Sequence, residues 1–285
     1  MQHELLLQND FLIDFLTKRK DGLQYSEVKP NIINTNYLII PDDLLTFLRE
    51  TDLNKKNYQK LLRKFGGDEK KLITEFMEFL NEKISTARNM AIFINNHRKT
   101  TFEGIELYLY YASGSEMHED KMYHQNIFSV AQEMPYTYKS HGQKISFRPD
   151  MTFFLNGIYI GYSELKSTYT GQNAQTKGRN KIIHDYRRAI ETYLVIADKN
   201  DKDQSIRREA LKIWERAIHI TATDLNDTYI IRTISDLYEP FKQLINQGMI
   251  QGSSRFVYRV HGTNKFVSSG LRKEHKTDRL HVDVS

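Results

Sequence analysis

The sequence predicts an α/β fold in which a central mixed β-sheet is flanked by helices on both faces. Two observations support this fold class. Residues 1–90 carry mostly helical spacings of apolar residues, whereas residues from about 90 to 235 mix strand patterns with helical ones. A hairpin at 150–166 carries apolar side chains on both faces of its strands, as expected for a sheet covered on both sides. We therefore expect one large domain over 1–250, followed by a polar and basic segment over 251–285.

The composition indicates a soluble protein whose positive net charge is compatible with binding a polyanion. Of 285 residues, 27% are charged and 12% are aromatic, and no apolar run approaches the roughly 18 residues that a membrane-spanning helix needs. The start of the chain is acidic and amphipathic, unlike a secretory signal, and the absence of cysteine is compatible with a cytoplasmic location. A formal net charge of +5 suits binding to nucleic acid, although many solvated domains are equally basic.

Helices are expected in the first part of the chain and strands in the middle. Asp68 is placed to cap the last of the early helices, and residues 135–144 read as a loop. The predicted helices are 3–19, 42–49, 57–64, 68–84, one from Asn180, one from Gln204 and 237–248. The predicted strands are one that begins at Met90, 104–112, 126–134, both arms of the hairpin, 217–223 and 228–233.

The hairpin, in the stretch SFRPDMTFFLNGIYIGYSELKS, carries the residues from which chemistry can be predicted. An Asn-Gly pair marks a tight turn between two apolar strands. Asp150 precedes the first strand, and the second strand ends with Glu164 and Lys166. Charged groups at the ends of buried strands cost free energy unless they are paired or bind a metal.

Two carboxylates can hold a hard divalent cation such as Mg²⁺, which prefers oxygen ligands. Lys166 would then stabilise charge on a phosphate or help to deprotonate an attacking water. The alternative is an ordinary ion pair between Glu164 and Lys166 at the end of a strand.

The strand register decides whether Asp150 and Glu164 can share a metal. With a plain two-residue turn, these two positions lie on opposite faces of the hairpin. A three-residue loop at 156–158, or one bulge, would place them opposite each other on one face. We therefore expect a bulge or a longer loop in this hairpin.

The order RPD, apolar strand, NG, then ELK resembles the PD-(D/E)xK nuclease superfamily. More narrowly, FRPDMTFFLNGIYIGYSELKS is similar to the N-terminal nuclease domain of the R (HsdR-type) subunit of type I restriction–modification enzymes. The resemblance implies a restriction-endonuclease-like core and Mg²⁺-dependent hydrolysis of phosphodiester bonds in double-stranded DNA. It implies that Asp150, Glu164 and the Leu165 carbonyl hold the metal, and that Lys166 is catalytic. It divides the nuclease domain into a helical part at 1–90 and a catalytic core at about 90–235.

The same resemblance nominates supporting residues. A Gln-x-x-x-Tyr motif is expected after ELK. Tyr186 matches it, but Ile182 stands where the glutamine is expected, so His184 or Gln175 would take over the polar role. An upstream helix is expected to supply a further acidic residue, and of the candidates Glu4, Asp10 and Asp14, Asp10 ranks first.

Basic residues around the hairpin and on the following helix are candidates for contacting DNA phosphates, although a solvated charged face is the alternative. These candidates are Arg148, Lys177, Arg179, Lys181 and Arg187.

The chain lacks the G-x-x-x-x-G-K-[ST] pattern of nucleotide triphosphate binding, so we expect ATP use only in a longer protein. In the family resembled, the nuclease domain precedes an ATP-driven motor, and residues 251–285 would begin the linker to it. Modification and specificity subunits would be partners, and the separate fragment would cleave poorly. Two alternatives remain at this point: a different PD-(D/E)xK nuclease, either stand-alone or a resolvase, and a non-catalytic DNA-binding or assembly module.

Overall fold

The computed structural model describes residues 7–18, 23–86, 93–94, 97–113, 121–166, 173–196, 205–224, 227–231, 257–259 and 266–268. The chain divides into two compact units. The amino-terminal unit comprises Gln8–Met134 and Pro149–Gly161, and the carboxyl-terminal unit comprises Met1–Leu7, Pro135–Arg148 and Tyr162–Ser285.

Four helices dominate the amino-terminal unit, as the apolar spacing predicts. Their buried faces include Phe47 of the second and Phe76 of the fourth, both fully buried. The Asp68 carboxylate accepts a hydrogen bond of 2.9 Å from the backbone N–H of Lys71, which confirms the predicted cap. The helices are α1 (Leu7–Lys18), which is π-helical, α2 (Pro41–Glu50), α3 (Lys55–Lys64) and α4 (Glu69–Thr86).

A six-stranded mixed sheet confirms the predicted α/β class. Its strand order is β1-β4-β7-β8-β9-β10, with helices around it. The first pair, β1 with β4, is parallel, whereas β4 with β7 and β9 with β10 are antiparallel. The strands are β1 (Ser26–Val28), β4 (Phe128–Gln132), β7 (Met151–Leu155), β8 (Ile158–Leu165), β9 (His219–Thr223) and β10 (Thr228–Ile231).

Smaller two-stranded ladders complete the described strands. They pair β2 (Lys99–Phe102) with β3 (Ile105–Tyr108), β5 (Tyr136–Ser140) with β6 (Gln143–Phe147), and β11 (Val257–Arg259) with β12 (Phe266–Ser268). The β5–β6 hairpin corrects the predicted loop at 135–144. The strand predicted from Met90 is also wrong where the structure describes it, because Phe93 and Ile94 are helical.

Three hairpins use the same two-residue turn, in which a non-glycine residue and a glycine both have positive φ. The turns are Glu103-Gly104, His141-Gly142 and Asn156-Gly157. Only the last has the Asn-Gly sequence that predicts such a turn most strongly, which explains why the β5–β6 hairpin was not predicted.

The Asn156 side chain is fully buried and joins three segments of the amino-terminal unit. Its Oδ1 accepts a 2.7 Å hydrogen bond from the Ile127 N–H, and its Nδ2 donates to the Leu109 carbonyl at 2.9 Å and to Asn126 Oδ1 at 3.0 Å. A Cβ on Gly157 would lie 2.4 Å from the Ile40 carbonyl oxygen. The turn is therefore part of the core, and its two residues are required by packing as well as by conformation.

The carboxyl-terminal unit contains three described α-helices and a cluster of buried aromatic side chains. The helices are α5 (Arg179–Ile196), preceded by a π-helical turn Ala174–Gly178, then α6 (Ser205–Ala210) and α7 (Lys212–Glu215). Trp214 is buried, and its ring contacts those of Tyr136, Phe147 and Tyr186. The predicted helix at 237–248 lies outside the described residues, and no helix within them is long and apolar enough to cross a membrane.

Candidate active site

The predicted site residues fall in both units. Glu164, Leu165 and Lys166 lie at the end of β8, within the carboxyl-terminal unit. Asp150 lies in the amino-terminal unit, in a bend before β7, where its carbonyl accepts a 3.0 Å hydrogen bond from the Glu133 N–H.

The predicted longer loop in the hairpin is wrong. The turn contains two residues, and β8 begins directly at Ile158. The rings of Phe154 and Tyr159, which face each other across such a turn, have centroids 6.0 Å apart in an edge-to-face contact. Because successive side chains along a strand alternate between the two faces of the sheet, this turn places positions 150 and 164 on opposite faces.

Glu164 is a buried carboxylate held by two lysines. Its side chain is 2% exposed, and its Oε1 lies 2.7 Å from the Lys166 Nζ. Its other oxygen, Oε2, lies 2.6 Å from the Lys181 Nζ, which reaches it from the first turn of α5. Lys166 also donates a 2.6 Å hydrogen bond to the Leu165 carbonyl oxygen. Hydrogen bonds of this charged kind offset the cost of burying the carboxylate.

Asp185 adds a second carboxylate to this cluster. It lies one helical turn after Lys181, with 3.7 Å between Oδ2 and the Lys181 Nζ. Burial raises the pKa of the Asp185 carboxyl, the Lys181 ammonium opposes this rise, and the negative charge of Glu164 adds to it. We call Glu164, Lys166, Lys181 and Asp185 the Glu164 cluster. With all four residues ionised, its formal charge is zero.

The backbone around Lys166 is fixed by neighbouring elements. The Lys166 N–H donates a 2.9 Å hydrogen bond to the carbonyl of Thr223 at the end of β9. A Cβ on Gly178 would lie 2.8 Å from the Ala222 Cβ and 3.3 Å from the Lys166 Cγ. Glycine at this position therefore allows the start of α5 to lie directly against the stem of Lys166.

Asp224 anchors the π-helical turn before α5. It is 8% exposed, and its Oδ2 accepts a 2.7 Å hydrogen bond from the Ala174 N–H. Its Oδ1 accepts a second one, of 3.0 Å, from the Asp227 N–H. Asn173 caps the same turn by accepting from the Thr176 N–H at 2.8 Å. These contacts fix the start of the helix that carries Lys181.

Sequence reasoning missed Asp185, Gly178 and Asp224. The i,i+4 spacing of Lys181 and Asp185 was a signal for their pairing. The other two residues act through contacts between segments far apart in the chain, and no local pattern identifies such contacts.

The remaining predicted residues differ in their surroundings. Tyr186 is buried against Trp214. His184 is exposed beside Asp185, with 3.7 Å between Nδ1 and Oδ1. The Asp10 side chain lies outside the part that the structure describes.

The predicted DNA-contacting residues are not equally accessible. Arg148 and Lys177 are exposed, and Arg179 is partly exposed. Arg187 is only 9% exposed, and its Nε donates a 2.8 Å hydrogen bond to Glu191 one turn later. Its guanidinium therefore forms part of the packing of α5.

The donor atoms at the end of β8 fit a hard cation. Glu164 Oε1 and the Leu165 carbonyl oxygen are both oxygen ligands of the kind that Mg²⁺ prefers, and both contact one ammonium nitrogen. Within the described residues, no three His, Cys, Asp or Glu side chains form a group that could hold a metal ion. The fit thus comes from one carboxylate and one backbone carbonyl.

Comparison with curated proteins finds similarity to leucine–tRNA ligases. The chain is 33% identical over 168 residues to the ligase of Cytophaga hutchinsonii, and this alignment covers 50% of the chain and 18% of the ligase. It is 64% identical over 47 residues to that of Parabacteroides distasonis, covering 16% of this chain and 5% of the ligase. It is 38% identical over 105 residues to that of Porphyromonas gingivalis, covering 33% of this chain and 11% of the ligase.

The chain thus spans less than a fifth of the length of these ligases, and so short a match does not carry their reaction to it. No solved structure matches the chain.

A family match covers much more of the chain. Residues 1–202 match the family described as type I restriction enzyme R protein N terminus (HSDR_N). This region includes the RPD, NG and ELK segments, the Glu164 cluster and all of α5. It confirms the resemblance drawn from those motifs. The chain therefore belongs to the family of type I restriction enzyme R protein N termini.

Proposed function

We propose that this chain is the nuclease part of a type I restriction enzyme R subunit and that it hydrolyses phosphodiester bonds in double-stranded DNA with Mg²⁺. Membership of the family supports the R-subunit assignment. The observation that carries the nuclease assignment is the convergence of Glu164 Oε1 and the Leu165 carbonyl oxygen on one cationic nitrogen. Modification and specificity subunits, and an ATP-driven motor, complete the proposed complex, and the cytoplasm is its proposed location.

Two groups would hold the metal: the Glu164 carboxylate and the Leu165 carbonyl. Mg²⁺ bound there supplies Lewis-acid stabilisation of charge on the phosphate and favours ionisation of the attacking water. Lys166 directs its ammonium to the developing negative charge, and its anchored backbone limits where that ammonium can go. Lys181 neutralises the second Glu164 oxygen and so holds the carboxylate in one orientation.

Basic residues of the carboxyl-terminal unit supply the proposed DNA contacts. Lys177 lies in the π-helical turn before α5, and Arg148 follows β6; both side chains are exposed. Contacts of this kind bind phosphates without reading sequence. This agrees with our proposal that a separate specificity subunit selects the DNA site.

The test measures metal affinity and DNA nicking on the same variants. Mn²⁺ binding is followed by electron paramagnetic resonance, and nicking by conversion of supercoiled plasmid, with and without the partner subunits. Glu164→Gln should weaken Mn²⁺ binding at least about tenfold and abolish nicking, because it removes a negatively charged ligand. Asp227→Asn, an exposed acidic control, should change neither.

Each competing function predicts a different result. A non-catalytic DNA-binding module predicts that Lys166→Met leaves every activity of the complex unchanged. A stand-alone nuclease or resolvase predicts efficient cleavage by the chain without partner subunits or ATP. Equal Mn²⁺ affinity in the parent protein and in Glu164→Gln, with circular dichroism unchanged, would reject the metal site and with it the proposed mechanism.

A further inference from the structure

Lys166 contacts the two oxygen atoms that the proposed function assigns to the metal. Its Nζ lies 2.7 Å from Glu164 Oε1 and 2.6 Å from the Leu165 carbonyl oxygen. Its side chain is only 9% exposed, so solvent screens these contacts weakly. An ammonium and a divalent cation cannot occupy one position between the same two oxygens.

The second lysine on Glu164 differs in both position and exposure. Lys181 contacts Oε2, at 2.6 Å, and its side chain is 41% exposed. It also has Asp185 nearby as a second carboxylate, at 3.7 Å. Removing Lys181 takes one positive charge from the same carboxylate but leaves the contacts of Lys166 with Oε1 and Leu165 in place. Lys181→Met is therefore the comparison variant that removes a positive charge from Glu164 and keeps the contacts of Lys166.

Lys166 can change partners without a change in the fold. Its backbone is tied to Thr223, and its Cγ lies beside Gly178, so the stem is held close to β9 and α5. Rotation about the outer side-chain bonds moves the ammonium by a few ångströms. A phosphate oxygen of bound DNA offers a new acceptor for an ammonium that has left Glu164.

We propose that Lys166 is an internal competitor for the cation site formed by Glu164 and the Leu165 carbonyl, and that DNA phosphate strengthens metal binding by drawing Lys166 away. This inference rests on the proposed function. It adds a coupling between the two ligands: metal favours the Lys166 conformation that contacts phosphate, and phosphate favours the one that frees the metal ligands. Such coupling is reciprocal, so Mn²⁺ must increase DNA affinity by the factor by which DNA increases Mn²⁺ affinity.

The first experiment titrates Mn²⁺ into the parent protein and into Lys166→Met, Lys181→Met and Glu164→Gln, at one pH and without DNA. Lys166→Met should bind Mn²⁺ about tenfold more tightly than the parent, because no ammonium has to be displaced. Lys181→Met should stay within about threefold of the parent, as expected for a more exposed charge. Circular dichroism and urea unfolding verify that each variant is folded.

The second experiment measures the coupling through DNA affinity. Fluorescence anisotropy of a labelled duplex is recorded with and without Mn²⁺, and gel electrophoresis confirms that the duplex remains intact. Mn²⁺ should increase DNA affinity about tenfold in the parent protein and about threefold or less in Lys166→Met. This measurement does not depend on cleavage, so it separates the competitor role of Lys166 from its role in the reaction.

Three results would overturn the inference. One is unchanged or weaker Mn²⁺ binding by Lys166→Met while Glu164→Gln loses binding, which leaves the metal site intact and rejects only the competition. Another is an equal gain in Mn²⁺ affinity in Lys166→Met and Lys181→Met, which would mean that the loss of one positive charge explains the whole effect. The third is equal Mn²⁺ enhancement of DNA affinity in the parent and in Lys166→Met. Equal Mn²⁺ binding by the parent and Glu164→Gln would instead reject the proposed function itself.

Discussion

Replacing Asn156 by alanine tests whether the Asn-Gly turn is required for its buried hydrogen bonds or only for its backbone conformation. Asn156 has φ of 51°, and alanine at such a φ costs about 1 kcal/mol. His141 occupies the same place in the β5–β6 turn, with φ of 49°, is also followed by glycine, and is exposed. His141→Ala therefore measures the conformational cost without the loss of buried contacts.

The expected magnitude follows from the bonds that alanine cannot make. The Ile127 N–H and the Leu109 carbonyl each lose their Asn156 partner. A buried polar group left without a partner costs about 1–3 kcal/mol. With the conformational cost added, Asn156→Ala should lower the free energy of unfolding by about 3–7 kcal/mol, against about 1 kcal/mol for His141→Ala. A loss of this size is a large fraction of the stability of a typical domain.

Urea unfolding followed by circular dichroism provides the assay, with free energies taken by linear extrapolation. Asn156→Asp is a second variant that tests the same buried hydrogen bonds. It keeps the acceptor for Ile127 but turns a carboxylate oxygen towards the Leu109 carbonyl and Asn126 Oδ1, so it should destabilise at least as much as alanine. Equal losses for Asn156→Ala and His141→Ala would refute the reasoning, because the buried bonds would then contribute nothing.

Three further predictions concern packing, DNA binding and pH. Gly178→Ala should destabilise the protein by about 1–3 kcal/mol in urea unfolding and reduce plasmid nicking, because its Cβ would clash with the Cβ of Ala222 and crowd the stem of Lys166. Lys177→Gln should weaken duplex binding and reduce its salt dependence by about one counterion in anisotropy titrations, whereas Arg187→Gln should mainly lower the melting temperature, because Arg187 is buried. Burial lowers the pKa of His219 below its ordinary value of 6.5, so the unfolded chain takes up a proton first as pH falls. Stability should be full above pH 6.5 and decline below it, and His219→Gln should reduce that decline in unfolding measured across pH.

The fold could be predicted where local pattern and burial agree. The apolar stripes of α2, α3 and α4 are regular, and the cap at Asp68 matches the start of α4. The β5–β6 hairpin could not be predicted in this way, because a His-Gly turn is a weak signal and only pairing with a neighbouring strand makes its segments extended. Local sequence is weakest where pairing decides the structure.

The site could be predicted in its components but not in its connections. The ELK pattern identified Glu164 and Lys166, and the structure places their side chains in direct contact. The expected longer loop is wrong, because the need to bring Asp150 to a metal does not determine the length of the turn. The turn conformation follows instead from Asn156 and Gly157 themselves, whose positive φ values suit a two-residue turn.

The contact between Gly178 and Ala222 limits which residues can occupy these two positions. A Cβ at position 178 would lie only 2.8 Å from that of Ala222, so the two positions together have room for one Cβ. A substitution at one of them should be rescued by its counterpart at the other, with Ala222→Gly acting as a suppressor of Gly178→Ala. In an alignment of relatives, we expect a side chain larger than hydrogen at one of these positions to coincide with glycine at the other.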